Sequence, residues 1–122
     1  MSIQITSAEL EIMSVLWKRP GIGAAEIIEA LDGKQDWSPR TVKTLLSRLA
    51  EKGALETKAD GRRYLYNPTI KKKDYQKKEA GQLIDRLFGG RMAPLVAELA
   101  DARGLSDEDI EELETLLGRL KK

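Results

Sequence analysis

One stretch of this sequence, residues 37–63, constrains the fold more than any other because it specifies a helix and a hairpin in direct succession. Ser38 can cap a helix that begins at Pro39, where the missing proline N–H costs nothing and φ is already helical. Apolar residues then recur at helical spacing and define the side of the helix that we expect to be buried. These apolar residues are Val42, Leu45, Leu46 and Leu49.

A short hairpin is predicted directly after this helix. Gly53 is a typical helix stop, and Asp60-Gly61 is a strong turn signal. Leu55, Tyr64 and Tyr66 lie on either side of the turn and are residue types that favour strands. A hairpin attached in this way to an amphipathic helix has the position of a wing.

Two earlier helices complete the N-terminal pattern. The first begins at the capping box formed by Thr6 and Glu9 and stops at Pro20-Gly21. The second is predicted from Ala24 to Leu31, behind Gly23, which is a weaker cap than Ser or Thr. Three helices followed by a hairpin form the layout of a winged helix-turn-helix domain.

The polar side of the third helix is short and basic, which suits the major groove of DNA. Arg and Lys reach guanine edges and phosphates, while Thr and Ser contact the backbone or thymine methyl groups. Cations on the hairpin would meet the neighbouring phosphates and supply salt-dependent affinity. The predicted DNA contacts are Arg40, Thr41, Lys43, Thr44, Ser47 and Arg48 on the helix, and Lys58, Arg62 and Arg63 on the hairpin.

Each of these patterns also has a plainer explanation. Many solvated helices have a polar face, and basic residues at a hairpin edge prevent edge-to-edge aggregation. Arg48 lies near the border of the polar face and can instead pair with Glu51 or Glu56. The combination of basic helix and basic wing favours DNA binding over these explanations.

The charges are segregated along the chain. Residues 37–78 contain 12 Lys and Arg residues against 4 Asp and Glu, whereas residues 79–122 contain 6 against 10. A basic middle segment followed by an acidic C-terminal segment is typical of a chain that binds a polyanion through one part and another protein through the other.

Composition excludes several kinds of chemistry. The chain has no cysteine and no histidine, so disulfides, thiolate chemistry and imidazole-based metal sites or acid–base catalysis are excluded. We expect no catalytic residues, no metal and no cofactor. No apolar run approaches the roughly 18 residues of a membrane span, and the first four residues do not begin a signal peptide. We therefore expect a cytoplasmic protein.

The C-terminal part is predicted to form three short amphipathic helices. The first ends at Gly89-Gly90, and the last is capped by Ser106. Such helices cannot bury their leucines alone, so we expect a homodimer, with packing back onto the first domain as the alternative. The sequence thus predicts a mainly α protein with a small β-hairpin wing. Its domains are an N-terminal winged helix-turn-helix domain at residues 1–70 and a C-terminal helical dimerisation domain at residues 71–122.

The sequence also resembles the penicillinase repressor group, the BlaI/MecI-type transcriptional regulators, over almost its whole length. The most specific signals are the segment from Trp37 to Thr44 and the pair Gly89-Gly90. The resemblance implies a homodimeric repressor that binds a palindromic double-stranded DNA operator, commonly upstream of β-lactamase or other resistance genes. It implies dimer contacts from Leu87, Phe88, Leu95, Val96, Leu99, Ile110, Leu113, Leu117 and Leu120.

The resemblance further implies that repression is relieved when a membrane sensor protease leads to cleavage of the repressor. In the best-known members the cut lies at an Asn-Phe pair in the helix after the two glycines. The aligned positions here are Glu98 and Leu99, so this cleavage signal is not preserved. The cysteine motifs of the copper-responsive branch are also missing, which leaves the inducing signal open.

Two other classes of function were weighed. A winged-helix protein-interaction module without operator binding is possible because a fold does not fix a function, but the basic third helix argues against it. An enzyme is the weakest interpretation. The acids of residues 107–112 lie where a helix N-terminus favours negative charge, and no nucleophile–base pair accompanies them.

Overall fold

The computed structural model describes residues 3–121 and shows a mainly helical protein with one small antiparallel sheet, as predicted. Met1 and Ser2, which begin the segment considered for a signal peptide, lie outside the described residues, as does Lys122. The helices are α1 (Ser7–Lys18), α2 (Ala24–Leu31), α3 (Pro39–Glu51), α4 (Lys72–Phe88), α5 (Met92–Arg103) and α6 (Asp107–Leu120), and the strands are β1 (Ile22–Gly23), β2 (Leu55–Asp60) and β3 (Arg63–Pro68).

The first of two compact units extends to Tyr75 and has the winged helix-turn-helix architecture. It combines α1, α2 and α3 with a three-stranded antiparallel sheet in the order β1-β3-β2. Strands β2 and β3 form the predicted hairpin, which we call the wing. Their register runs from Leu55 opposite Pro68 to Asp60 opposite Arg63, so the turn is at the predicted Asp60-Gly61 position.

Strand β1 was not predicted from the sequence. Ile22 pairs with Tyr66 and Gly23 pairs with Leu65, which extends the wing into a three-stranded sheet and brings the start of α2 beside β3. Two residues are too few to show the alternation of apolar and polar residues that identifies a strand. Only the partner strand makes this segment extended.

The core of the first unit is formed where α3 meets α1 and α2. The predicted apolar face of α3 is confirmed, since its four residues are between 0 and 6% exposed. They contact Ile12, Met13 and Leu16 of α1 and Ile27 of α2 within one buried cluster. Trp17 lies at its margin, where the indole Nε1 donates a hydrogen bond of 3.0 Å to the carbonyl oxygen of Ile70. Burial of this face fixes which side of α3 is turned to solvent.

Glu9 is a buried charge beside this core, with only 1% of its surface exposed. The predicted capping box is confirmed: the Thr6 N–H donates to the Glu9 carboxylate at 2.9 Å, and the Glu9 N–H donates to Thr6 Oγ1 at 3.1 Å. The carboxylate also forms an ion pair with Lys52, which caps the C-terminus of α3. Burial alone raises the pKa of Glu9, but the hydrogen bonds from Lys52 and Thr6 outweigh it, and the pKa is lowered.

The second compact unit begins at Gln76 and contains the rest of α4 together with α5 and α6. None of the described residues of these three helices is buried. Leu87, Met92 and Leu120 are 60, 68 and 70% exposed in the single chain. Ser106 caps α6 as predicted, since its Oγ accepts a hydrogen bond of 3.0 Å from the Asp109 N–H. Within residues 3–121, no helix combines the length and apolar character needed to cross a membrane.

We expect Lys52→Ala to lower the free energy of unfolding by about 3 kcal/mol, the lower end for removing one partner of a buried pair, because Lys52 itself is one-third exposed. Chemical denaturation followed by circular dichroism measures the effect. Lys18→Ala is the matched control, since Lys18 also lies in the last turn of a helix and is exposed. Equal losses in both variants would contradict a special role for the Glu9–Lys52 pair.

The same pair makes stability depend on pH. The pKa of Glu9 is lower in the folded than in the unfolded chain, so its contribution is complete above about pH 4.3 and is lost as the pH falls through the lowered folded pKa. Unfolding free energies measured from pH 6 down to pH 3 are expected to fall less steeply in Lys52→Ala than in the unchanged protein. Parallel curves would show that other carboxylates cause the acid sensitivity.

Candidate nucleic-acid interface

The solvent-exposed side of α3 carries the six residues of this helix that the sequence predicts to contact DNA. Its first turn is fixed by Pro39 at the first helical position and by Ser38, whose Oγ accepts a hydrogen bond of 3.2 Å from the Thr41 N–H. Because the opposite side is buried, the polar side chains project from the domain. Arg40, Thr41, Lys43, Thr44, Ser47 and Arg48 are all exposed.

Two of the hydroxyl groups on this face already have local partners. Thr44 Oγ1 donates a hydrogen bond of 3.0 Å to the carbonyl oxygen of Arg40, one turn earlier. Thr41 Oγ1 lies 3.1 Å from Ser38 Oγ. Because the hydroxyl proton of Thr44 is already donated, the methyl group of this side chain is the part that can make a new contact. In the major groove, the methyl group of thymine is an apolar partner for it. Ser47 forms no such bond with residues 3–121.

Five of the predicted cations are exposed and available to an external anion. They are Arg40, Lys43, Arg48, Lys58 and Arg62, and none of them forms an ion pair with another residue in the described range. In particular, Arg48 does not form the alternative pair with Glu51 or Glu56. Unpaired cations beside each other repel, so this arrangement favours an anionic partner.

Arg63, the remaining predicted contact, is instead held by the protein. Its Nη1 and Nη2 atoms donate hydrogen bonds of 3.1 and 3.2 Å to the two carboxylate oxygens of Glu26 at the start of α2. Its Nε lies 3.8 Å from a carboxylate oxygen of Asp60. The Gly23 N–H adds a bond of 3.1 Å to Glu26. This Gly23 bond, with help from Arg63, keeps the pKa of Glu26 lowered.

A concave surface of about 360 Å³ lies where the start of α2, the start of α3 and the wing meet. Lys43 from α3 and Arg62 from the wing both line it, and Arg63 and Glu26 form another part of its wall. The helix and the wing therefore present cations to one shared concavity. Such a surface is suited to a convex, negatively charged backbone.

The described part of the chain contains no group of three or more carboxylate, histidine or cysteine residues that could hold a metal ion. The exposed face of α3 carries basic and hydroxyl-bearing side chains instead.

Comparison with known proteins identifies the family. Residues 5–119 match the family model described as Penicillinase repressor. The chain belongs to the penicillinase repressor family. This family comprises non-enzymatic, DNA-binding transcriptional regulators.

The relatives span nearly the whole chain. The penicillinase repressor of Bacillus licheniformis is 38% identical over 114 residues, which cover 93% of this chain and 89% of the relative. The methicillin resistance regulatory protein MecI of Staphylococcus aureus strain N315 is 33% identical over 116 residues, or 95% of this chain and 94% of that protein.

A solved structure matches the N-terminal part. The solution structure of the monomeric form of Bacillus licheniformis BlaI, in complex with the blaP half-operator, superimposes with a TM-score of 0.53 at 45% identity. The match covers 61% of this chain and 92% of that chain. In that relative, therefore, a domain with this winged helix-turn-helix fold is bound to DNA.

The sequence of this penicillinase repressor family member did not identify Glu26 and Gly23 as residues next to the site. The spacing Gly23-x-x-Glu26 does carry a signal, because an acid three residues after a helix cap can accept the N–H of the cap. The partner Arg63 lies 37 residues further along the chain, and no local pattern connects the two.

Proposed function

We propose that this protein is a transcriptional repressor that binds a palindromic DNA operator as a homodimer. One observation carries the proposal: Lys43 of α3 and Arg62 of the wing, neither of which forms an ion pair in the described range, line one shared concave surface. Phosphate contacts from such cations supply affinity, and side chains of the helix read base edges. The proposed contacts are Arg40, Thr41, Lys43, Thr44, Ser47, Arg48, Lys58 and Arg62.

The family supports this proposal from a second direction. Relatives bear the names penicillinase repressor and methicillin resistance regulatory protein, and the BlaI relative is in complex with a half-operator. By extension, we propose that the regulated genes include a β-lactamase or another resistance gene. The protein would act where the chromosome is accessible, which we take to be the cytoplasm.

Homodimerisation is supported by the second unit. In a single chain, Leu117 and Leu120 of α6 are 54 and 70% exposed, and Leu87 of α4 is 60% exposed. Exposed apolar side chains at this density are costly in water unless a partner covers them. A second copy is the partner that a symmetric operator requires, because the two-fold axis of a dimer matches two half-sites. Phe88, Leu95, Val96, Leu99, Ile110 and Leu113 complete the proposed contacts.

We extend the proposal to the release of the protein from DNA. A membrane sensor protease would lead to cleavage of the chain within the second unit. Glu98 and Leu99 are both exposed on α5. A cut between them would separate α6 from the DNA-binding unit and remove part of the dimer contacts, so bivalent binding would be lost. Incubation of cells with an inducing antibiotic, followed by mass spectrometry of the repressor, tests this extension. Full-length repressor in derepressed cells would argue for a different signal.

The main experiment is fluorescence anisotropy with a labelled fragment of the gene's own upstream promoter and with scrambled DNA, over a series of salt concentrations. Preferential binding to the promoter with a steep negative salt slope supports a sequence-specific repressor. Equal binding to both fragments contradicts sequence specificity on that promoter. No binding even at low salt would favour the interaction-module function instead.

We expect Lys43→Ala to weaken operator binding by about tenfold and to reduce the salt slope by about 1.8, which is about 0.9 for each subunit of the dimer. The melting temperature should not fall, because Lys43 is exposed and lies outside the core. Lys77→Ala is the control, since it removes the same charge at an exposed position outside the proposed contacts. Parallel losses of binding and thermal stability in Lys43→Ala would reject the assignment.

We expect Leu117→Glu to shift sedimentation from dimer to monomer and to weaken operator binding through lost bivalency. More than half of the Leu117 side chain is exposed in the single chain, so the substitution costs the monomer little. Thr115→Glu adds the same charge to an exposed position of the same helix and is the control. A Leu117→Glu protein that still sediments as a dimer would place the contacts elsewhere.

A further inference from the structure

The guanidinium group of Arg63 is paired with carboxylates of the protein, while 54% of its side chain stays exposed. Two nitrogens make parallel hydrogen bonds of 3.1 and 3.2 Å to Glu26, and the third faces Asp60 at 3.8 Å. Two parallel bonds between a guanidinium and a carboxylate fix the orientation of both groups as well as their distance. By contrast, its neighbour Arg62 forms no ion pair within residues 3–121.

The carboxylate at the other end of this pair is fixed as well. Glu26 accepts the Gly23 N–H at 3.1 Å, and Gly23 is paired with Leu65 in the sheet. A side chain at position 23 would be tightly packed, because a Cβ there would lie 3.3 Å from the Tyr64 carbonyl oxygen and 3.4 Å from Glu26 Oε1. The backbones of α2 and β3 therefore meet at a glycine, directly beside the ion pair.

In addition to the pairing of β1 with β3, the outer part of the wing is tied to the helices by this ion pair. In β2 only Leu55 is buried, and residues 56–64 are all exposed. Among the described residues, the Arg63–Glu26 pair is the hydrogen-bonded side-chain link from residues 56–64 to the helices. Without it, the end of a two-stranded ribbon is free to twist relative to α3.

We propose that Glu26 and Arg63 form a latch that sets the position of the wing relative to α3, so that Arg62 meets a DNA phosphate while Arg63 is a positioning residue. The inference deepens the proposed function and rests on it. A phosphate contact through the two N–H groups that now bind Glu26 would require Arg63 to leave that carboxylate, and the unpaired Glu26 would then repel the DNA. Keeping the pair closed avoids that repulsion.

The latch and the direct-contact alternative predict different effects of charge-conserving substitutions. Lysine at position 63 keeps the charge, and hence a phosphate contact, but cannot form two parallel bonds with a carboxylate. Aspartate at position 26 keeps the charge but is one methylene too short for the observed geometry. Under the latch, both Arg63→Lys and Glu26→Asp weaken operator binding. Arg19→Lys is the matched control, because Arg19 is exposed and lies outside the proposed contacts, and it leaves binding nearly unchanged.

The salt series separates positioning from contact. Each lost phosphate contact lowers the steepness of log Kobs against log salt by about 0.9. We expect twice this reduction, about 1.8, for Arg62→Gln, because a homodimer loses one contact in each subunit. For Arg63→Gln we expect weaker binding at every salt concentration with the slope unchanged. The double variant Glu26→Gln/Arg63→Gln should bind operator no worse than Arg63→Gln. Its affinity should therefore be about threefold or more higher than the two single effects added together would give.

The decisive experiment measures these variants by anisotropy on the promoter fragment and by amide hydrogen exchange on the free, full-length protein. Faster exchange at Gly23 and Leu65 in Arg63→Lys and Glu26→Asp, but not in Arg19→Lys, is expected from an opened latch. This readout needs no DNA, so it tests the latch even if the unchanged protein fails to bind the promoter, a result that would count against the proposed function alone.

Three results would overturn the inference. The first is a slope reduction for Arg63→Gln equal to that for Arg62→Gln. The second is unchanged binding by Arg63→Lys, and the third is tighter binding by Glu26→Asp. If the glutamine variants fail to fold, as judged by circular dichroism, the charge-conserving pair of variants gives the answer.

Discussion

Burial of one side of α3 is the constraint on which the rest of the structure depends. Val42 and Leu49 lie in a core shared with α1 and α2, with 1 and 0% of their surfaces exposed. Because a helix has a fixed period, burying this side also decides where the other side points. Six polar residues of α3 are thereby turned outward by the packing of the opposite side. The recognition surface is a consequence of apolar packing on the opposite side.

Two ion pairs refine what the core establishes. Glu9 joins the start of α1 to the end of α3 through Lys52, and Glu26 joins the start of α2 to the wing through Arg63. In each case a glutamate accepts a backbone N–H near the start of its helix, from Thr6 or Gly23, and also a basic side chain from a distant element. The acid that completes a helix cap thus also connects that helix to α3 or to the wing.

The sequence was sufficient for features that depend on neighbouring residues. Helix bounds follow from caps such as Ser38-Pro39 and from apolar spacing, and the wing turn follows from Asp60-Gly61. It was insufficient for features that depend on residues far apart. Lys52 and Glu9 are separated by 43 positions and Arg63 and Glu26 by 37, and β1 exists only because β3 lies beside it. A basic residue in a wing cannot be assigned to DNA or to a carboxylate from its identity alone.

The lack of buried residues in α5 and α6 has a consequence for regulation. Helices of 12 to 14 residues are marginal in water unless their apolar sides are covered. If a second copy provides that cover, folding of this unit follows mass action, and its stability rises with the concentration of the protein. A falling cellular level would then loosen the C-terminal helices and expose them to general proteases. A low concentration of the protein would then speed its degradation. The amount of repressor in the cell would fall more sharply than a change in its synthesis alone would cause.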